Sequence, residues 1–167
     1  MKIVGLITEY NPFHNGHKYH MEQALELTGA DAALVVMSGN FVQRGTPAIM
    51  PKHLRTEIAL KSGAAAVIEL PVCYASGSAE YFALGAVSLF EQLGCVNSIC
   101  FGTECKNLNA LEEIARILHE EPEPYRQSLK VHMKSGLSFP YARQRALEEY
   151  TKDTALSSYM EKPNNIL

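Results

Sequence analysis

Residues 5–20 read GLITEYNPFHNGHKYH, and the architecture of the chain follows from how this stretch is divided. Its front half completes KIVGLITEY (2–10), a short apolar run that predicts a strand. Its back half opens HKYHMEQALEL (17–27), where Met21, Ala24, Leu25 and Thr28 fall at helical spacing. Asn, Pro and Gly between them break both patterns. Strand, tight turn and helix in that order begin a βαβ unit. Three of the chain's six histidines, His14, His17 and His20, lie at this junction.

The alternation continues. DAALVVMSG (31–39) is almost wholly apolar, as expected of a strand buried on both faces. PKHLRTEIALKSG (51–63) predicts a helix with proline in its first turn and glycine at its end. AAAVIELP (64–71) is a third strand, GSAEYFALGAVSLFEQLG (77–94) a long apolar helix, and NSICFGTE (97–104) a fourth strand. NLNALEEIARILHE (107–120) places Leu108, Leu111, Ile114, Ala115 and Leu118 on one helical face. This pattern predicts an α/β fold, a Rossmann-like parallel sheet with helices on both faces. After PEPY only helical patterns remain, YRQSLKVHMKSG and SFPYARQRALEEY. The expected division is an α/β domain over 1–121 and a helical extension over 122–167. The terminal PNNIL leaves an Ile-Leu pair with nothing after it to pack against, so a longer protein is expected.

Composition bounds the function without naming it. Of 167 residues, 47% are apolar and 20% charged, as in soluble globular proteins. Residues 1–121 hold 8 Lys and Arg against 13 Asp and Glu, whereas 122–152 hold 6 against 3, so the basic part is C-terminal. No run is long and apolar enough to cross a membrane. MKIVGLITEY has no small-residue cleavage site behind it and reads as a strand rather than a signal peptide. Cys73, Cys95, Cys100 and Cys105 form no CxxC pair, which points to buried, reduced thiols in a cytoplasmic protein and to no metal site.

In an open parallel sheet, ligands bind beyond the carboxyl ends of the strands. ITEYNPFHNGH, MSGNFVQRG, ELPVCYASGS and FGTE all fall there. Asn15 is the expected N-cap of the first helix. Its N-terminus, with Gly16 leaving the backbone open, favours an anion. His14 and His17, three apart, can project to one side and clamp a phosphate, while Pro12 stiffens the turn. Zinc on His14, His17 and His20 fits poorly, because successive three-residue steps drift around a helix.

NPFHNGH resembles the HxGH signature of the nucleotidylyltransferase superfamily. Together with SGNFVQRGTPAIMPKHLRTEIAL, ELPVCYASGSAEYFALGAV, CFGTE and PNNIL, it resembles the tRNA(Met) cytidine acetate ligases over essentially the whole chain. That resemblance implies that Ile7, Thr8, Glu9, Tyr10, Asn11, Pro12, Phe13, His14, Asn15, Gly16, His17, Lys18, Tyr19 and His20 bind ATP, with His14 and His17 as the catalytic pair. It further implies ATP contacts at Gly102 and at Asn164, with Asn165 as the adjacent alternative. The implied reaction makes acetyl-adenylate from acetate and ATP, with Mg2+ accompanying ATP. The acetyl group then passes to N4 of the wobble cytidine of elongator tRNA(Met). Neither a membrane nor DNA is an expected partner.

Adenylyl transfer needs an in-line carboxylate and stabilised phosphate charge rather than covalent help. Arg44, Lys52 and Arg55 follow the second strand and are candidate phosphate or RNA contacts, or else solvated surface charges. Arg126, Lys130, Lys134, Arg143 and Arg145, interleaved with Tyr125, His132 and Tyr141, are candidate RNA contacts or an ordinary solvated face. The second phosphate-binding motif usual in the superfamily has no match in these residues. Two other readings stay open: a small-molecule nucleotidylyltransferase, and a nucleotide- or RNA-binding module without turnover.

Overall fold

A computed structural model describes residues 1–103 and 107–161 of the chain. Four parallel strands lie in the order β3-β2-β1-β4. They are β1 (Ile3–Thr8), β2 (Ala32–Ser38), β3 (Ala66–Leu70) and β4 (Ser98–Ile99). β1 is therefore inner, with β2 on one side and β4 on the other. Leaving β1, the chain first travels towards β2 and β3 and then returns to β4, so the topological switch lies beside β1.

Alternation along the strands sorts two apolar layers. Val4 and Leu6 of β1 and Val35 and Met37 of β2 meet Met21 and Ala24 of α1 (Asn15–Thr28) and Ala59 of α2 (Lys52–Lys61). Leu34 and Val36 turn the other way and meet Phe82, Ala86 and Phe90 of α4 (Ala79–Leu93). The helices thus cover both faces, as the near-continuous apolar strands require. Gly5 in β1 permits that second layer, because a Cβ there would lie 2.8 Å from Phe90 Cε2 and Cζ. A four-residue helix, α3 (Val72–Ala75), precedes α4 and was hidden in the sequence among loop residues.

The helices end where their residues dictate. Gly29 and Gly94 take left-handed backbone after α1 and α4, at φ 60° and 63°. Ser78 caps α4 by accepting from the Tyr81 amide.

Compact units divide the chain at Met1–Gly102 and Thr103–Ile166, not after residue 121 as expected from sequence. The reason lies in packing. Ala110, Ile114 and Ile117 of α5 (Leu108–Glu120) share a core with Tyr125 of α6 (Glu123–Lys134) and Ala146 and Leu147 of α7 (Phe139–Thr151). Leu156 of α8 (Thr154–Ser158) and Met160 complete it. The amphipathic helix after β4 is thus part of the helical unit. β4 is also shorter than its sequence run, with Val4 and Gly5 of β1 paired to Ser98 and Ile99.

The expectation of buried thiols is corrected in part. Cys73 and Cys95 are exposed, on α3 and in the turn after α4, and Cys100 is partly buried. Cys105 lies outside the described residues. Among the described residues no helix is long and apolar enough to cross a membrane.

Candidate functional site

The turn between β1 and α1 is organised by its own side chains. His14, not Asn15, is the N-cap, with extended backbone at φ −142° and ψ 175°. Its Nδ1 accepts from the Gly16 amide at 3.1 Å. His17 returns the arrangement, its Nδ1 accepting from the His14 amide at 3.2 Å. This is a capping box in which imidazole nitrogens replace the usual oxygens. Sequence preference pointed to Asn15 because Asn outranks His at that position, but an aromatic nitrogen can accept the same bond. Gly16 earns its place locally: a Cβ there would stand 3.0 Å from Cε1 and Nδ1 of the His14 ring.

The two rings stack, centroids 3.7 Å apart and inclined by 23°. With both Nδ1 atoms accepting backbone N–H, the neutral rings carry their protons on Nε2. Nε2 is across the ring from Nδ1, so both Nε2–H groups are directed away from the backbone they cap. Neither they nor the Asn15 amide has an acceptor among the described residues. Burial, then the neighbouring His14 and His20, pushes the His17 pKa down to about 4. His17 is therefore neutral near pH 7, with an Nε2–H available to donate.

The rest of the motif supports this pair. Tyr10 and Phe13 meet edge-on at 4.7 Å, and both lie against His17, at 4.9 and 5.6 Å between centroids. Tyr10 is buried, and that burial pushes its hydroxyl up to about 12 despite the opposing Thr8 hydroxyl. Glu9 Oε1 accepts from the Gln43 amide at 2.9 Å, and Asn11 Oδ1 from the Ile49 amide at 2.7 Å. These bonds dock the loop after β2 onto the turn. The Asn11–Pro12 peptide is cis. Ile7 faces the α4 layer and Thr8 is buried. Lys18 is exposed and pairs with Glu22 at 3.8 Å; Tyr19 is exposed; His20 is half-buried, its pKa lowered by that burial. Within residues 7–20, Pro12, His14, Asn15, Gly16, Lys18 and Tyr19 are exposed, and His17 is half-buried against His14.

Gly102, after β4, is exposed, and nothing within 4 Å would meet a Cβ there. Asn164 and Asn165 lie outside the described residues. Arg44 is exposed at the tip of the docked loop, with left-handed backbone at φ 63°. Lys52 is committed to Glu69 at 2.6 Å. Arg55 is corrected outright as a phosphate or RNA contact. It is 0% exposed and donates to the carbonyls of Met50, Glu9 and Gly39. Its burial was unreadable because a charged residue in a helix ordinarily reads as surface.

In the helical unit, Arg126 lies near Glu121 and Glu123 at 3.8 and 3.6 Å, and Arg145 pairs with Glu148 at 3.1 Å. Arg143 sits over the Phe139 ring, 5.5 Å from its centroid. His132 and Ser128 of α6 both bond Glu149 of α7. Lys130 and Lys134, four apart on α6, are exposed and form no ion pair among the described residues.

A family model described as HIGH Nucleotidyl Transferase matches residues 1–167. The tRNA(Met) cytidine acetate ligase of Acetivibrio thermocellus is 52% identical to this chain over 168 residues, and that of Halothermothrix orenii 48% identical over 175. Both matches cover all of this chain but only 40% and 42% of those proteins. A crystal structure of Thermotoga maritima TmcAL bound with alpha-thio ATP matches with a TM-score of 0.94 and 45% identity, over 99% of this chain and 41% of that one. The chain therefore spans about two fifths of the length of these relatives.

Proposed function

The chain belongs to the HIGH nucleotidyl transferase family, and from that premise we propose that it is the ATP-activating part of a tRNA(Met) cytidine acetate ligase. One observation carries this reading: two stacked imidazoles at a helix N-terminus, both with Nδ1 spent on the cap and Nε2–H directed outward. Such an arrangement suits the α-phosphate of ATP. Neutral donors and a helix end stabilise phosphate charge without needing a proton to move. An acetate oxygen attacks the α-phosphorus, and the bond to pyrophosphate breaks. The cytidine N4 amine then attacks the acetyl carbonyl, and AMP leaves.

His14 and His17 hold the α-phosphate in this scheme. The open backbone at Gly102 leaves room for the nucleoside; Asn164, or the adjacent Asn165, is a further nucleotide contact by the family resemblance alone, since both lie outside the described residues. Arg44 reaches from the docked loop towards the leaving pyrophosphate or the RNA. Mg2+ enters on the phosphates of ATP and offsets their charge. Among the described residues no group of three or more His, Cys, Asp and Glu is placed to hold a metal, so the ion's ligands would be mainly phosphate and water. Lys130 and Lys134 are the contacts of choice for the tRNA backbone, because their charges are uncommitted. Arg126 and Arg145 follow as weaker contacts, since each already faces carboxylates. ATP and tRNA as substrates put this chemistry in the cytoplasm.

The test is ATP–pyrophosphate exchange. Exchange that depends on acetate is expected. Exchange only with a phosphorylated acceptor would favour a small-molecule nucleotidylyltransferase. ATP binding without exchange in any mixture would leave a binding module.

A further inference from the structure

Arg55 heads the fully buried side chains by size, and it is a cation. It extends from α2 into the layer between that helix and the sheet. Its Nε donates to Met50 O at 3.1 Å, Nη1 to Glu9 O at 2.5 Å, and Nη2 to Gly39 O. Glu9 follows β1, Gly39 follows β2, and Met50 precedes α2. One planar fork thus ties together the carboxyl ends of two adjacent parallel strands. Two further bonds work beside it, Gln43 N to Glu9 Oε1 and Ile49 N to Asn11 Oδ1. The loop from 40 to 50 is fastened to the turn that leads into His14.

The next residue after Glu9 is Tyr10, whose ring lies against His17. We propose that Arg55 is a positioning residue for the His14–His17 pair, fixing the turn after β1 against the loop after β2 so that both imidazoles and Arg44 share one rigid frame. The proposal rests on the reading of that pair as the phosphate site.

Chemistry explains why the residue is arginine. A guanidinium offers donors on three nitrogens in a fixed fork, so it can reach three carbonyls from separate segments. Lysine donates from one nitrogen and cannot span them. A leucine or methionine would pack well but strand the carbonyls. Burial lowers the Arg55 pKa, while Glu9 and Glu69 oppose the shift, so no direct carboxylate partner is needed to keep the charge. A residue kept for packing alone would gain from losing a buried charge. Keeping it is explained when the geometry at the two strand ends matters.

The test compares wild type, Arg55→Lys and Phe82→Ala in the full-length protein. Phe82, on α4, packs against the opposite face of the sheet and serves as a control for lost stability alone. Three quantities are read: thermal unfolding, kcat and KM for acetate-dependent exchange, and the His17 tautomer by nitrogen NMR of the side chain. Arg55→Lys is expected to lower kcat by about 10- to 100-fold with KM for ATP within a few-fold, as misplaced groups do. It is also expected to shift His17 from the Nε2–H form towards a mixture. Phe82→Ala is expected to lose stability and keep both kcat and the tautomer. Unchanged kcat and tautomer in Arg55→Lys, or the same losses in Phe82→Ala, would overturn the proposal. If Arg55→Lys does not fold, Asn11→Ala cuts a neighbouring tie. A wild-type His17 signature in that variant overturns the proposal equally, and a shifted one supports it. Wild-type protein without exchange would sink the proposed function, yet the NMR comparison would still decide the role of Arg55.

Discussion

Replacing His17 separates the two tasks its ring performs. In His17→Ala the His14 amide loses its acceptor, which costs about 1 kcal/mol as helix caps go. Contact with Tyr10, Phe13 and the stacked His14 ring also goes, worth another ~1 kcal/mol. A loss of about 2 kcal/mol in an α/β unit of this size lowers Tm by roughly 10 °C. Loss of one preorganised donor to the transition state costs about 10²- to 10³-fold in rate. His17→Gln distinguishes the effects, because glutamine is a natural third residue of a capping box. It is expected to recover about half of the lost stability and none of the lost rate. Unfolding by circular dichroism and acetate-dependent exchange at 25 °C read the two quantities on the same samples. If glutamine restores exchange along with stability, His17 is only a cap, and the outward Nε2–H has no part in the chemistry.

The pH dependence of stability follows from the depressed His17 pKa. Between about 6.5 and 4 the unfolded chain takes up a proton at this site and the folded chain does not, so stability should fall on acidification through that window and level off below it. His20 adds in the same direction, and thermal melts from pH 7.5 to 3.5 that show a rise instead would contradict the assigned tautomer. Gly5→Ala should destabilise by about 1–3 kcal/mol through its clash with Phe90, measured by urea unfolding; a neutral result would mean that α4 can move aside freely. Single Cys→Ala changes at 73, 95, 100 and 105 should leave exchange nearly intact, and abolished turnover in any one would show a thiol role. Replacing Lys130 and Lys134 together by Ala should reduce the salt slope of tRNA binding by about 1–2, whereas an unchanged slope would remove α6 from the RNA contact.

The sheet was readable because its inner strands β1 and β2 are buried along most of their length and leave near-unbroken apolar runs, while β3 is set off by glycine and proline. The turn after β1 was readable for a similar reason, since Asn, Pro and Gly cannot continue either neighbour. What was unreadable is physical as well. α3 and α8 are four and five residues long, too short for a helical period to show. The pairing length of β4 depends on where β1 meets it, and no local residue encodes that. α5 looks like one more crossover helix until its apolar face is seen to need Tyr125, Ala146 and Leu147. At the site, the histidine spacing identified the pair, but not that the rings cap the helix themselves. Glu9 and Asn11 carried a faint signal, polar residues flanking an aromatic at a strand end, while Arg55 carried none.

The brevity of β4 has an outcome at the switch point. In a parallel ladder, alternate residues of a strand bond to opposite neighbours. On the β4 side, Ile3 accepts from the Asn97 amide and Gly5 from the Cys100 amide. The next rung belongs to Ile7, where among the described residues no neighbour takes its amide or carbonyl on that flank. Among the described residues, the β1 edge is therefore unmatched beyond Gly5 on the β4 side. Main-chain donors and acceptors left open along a strand edge call for a hydrogen-bonding partner rather than for any particular side chain.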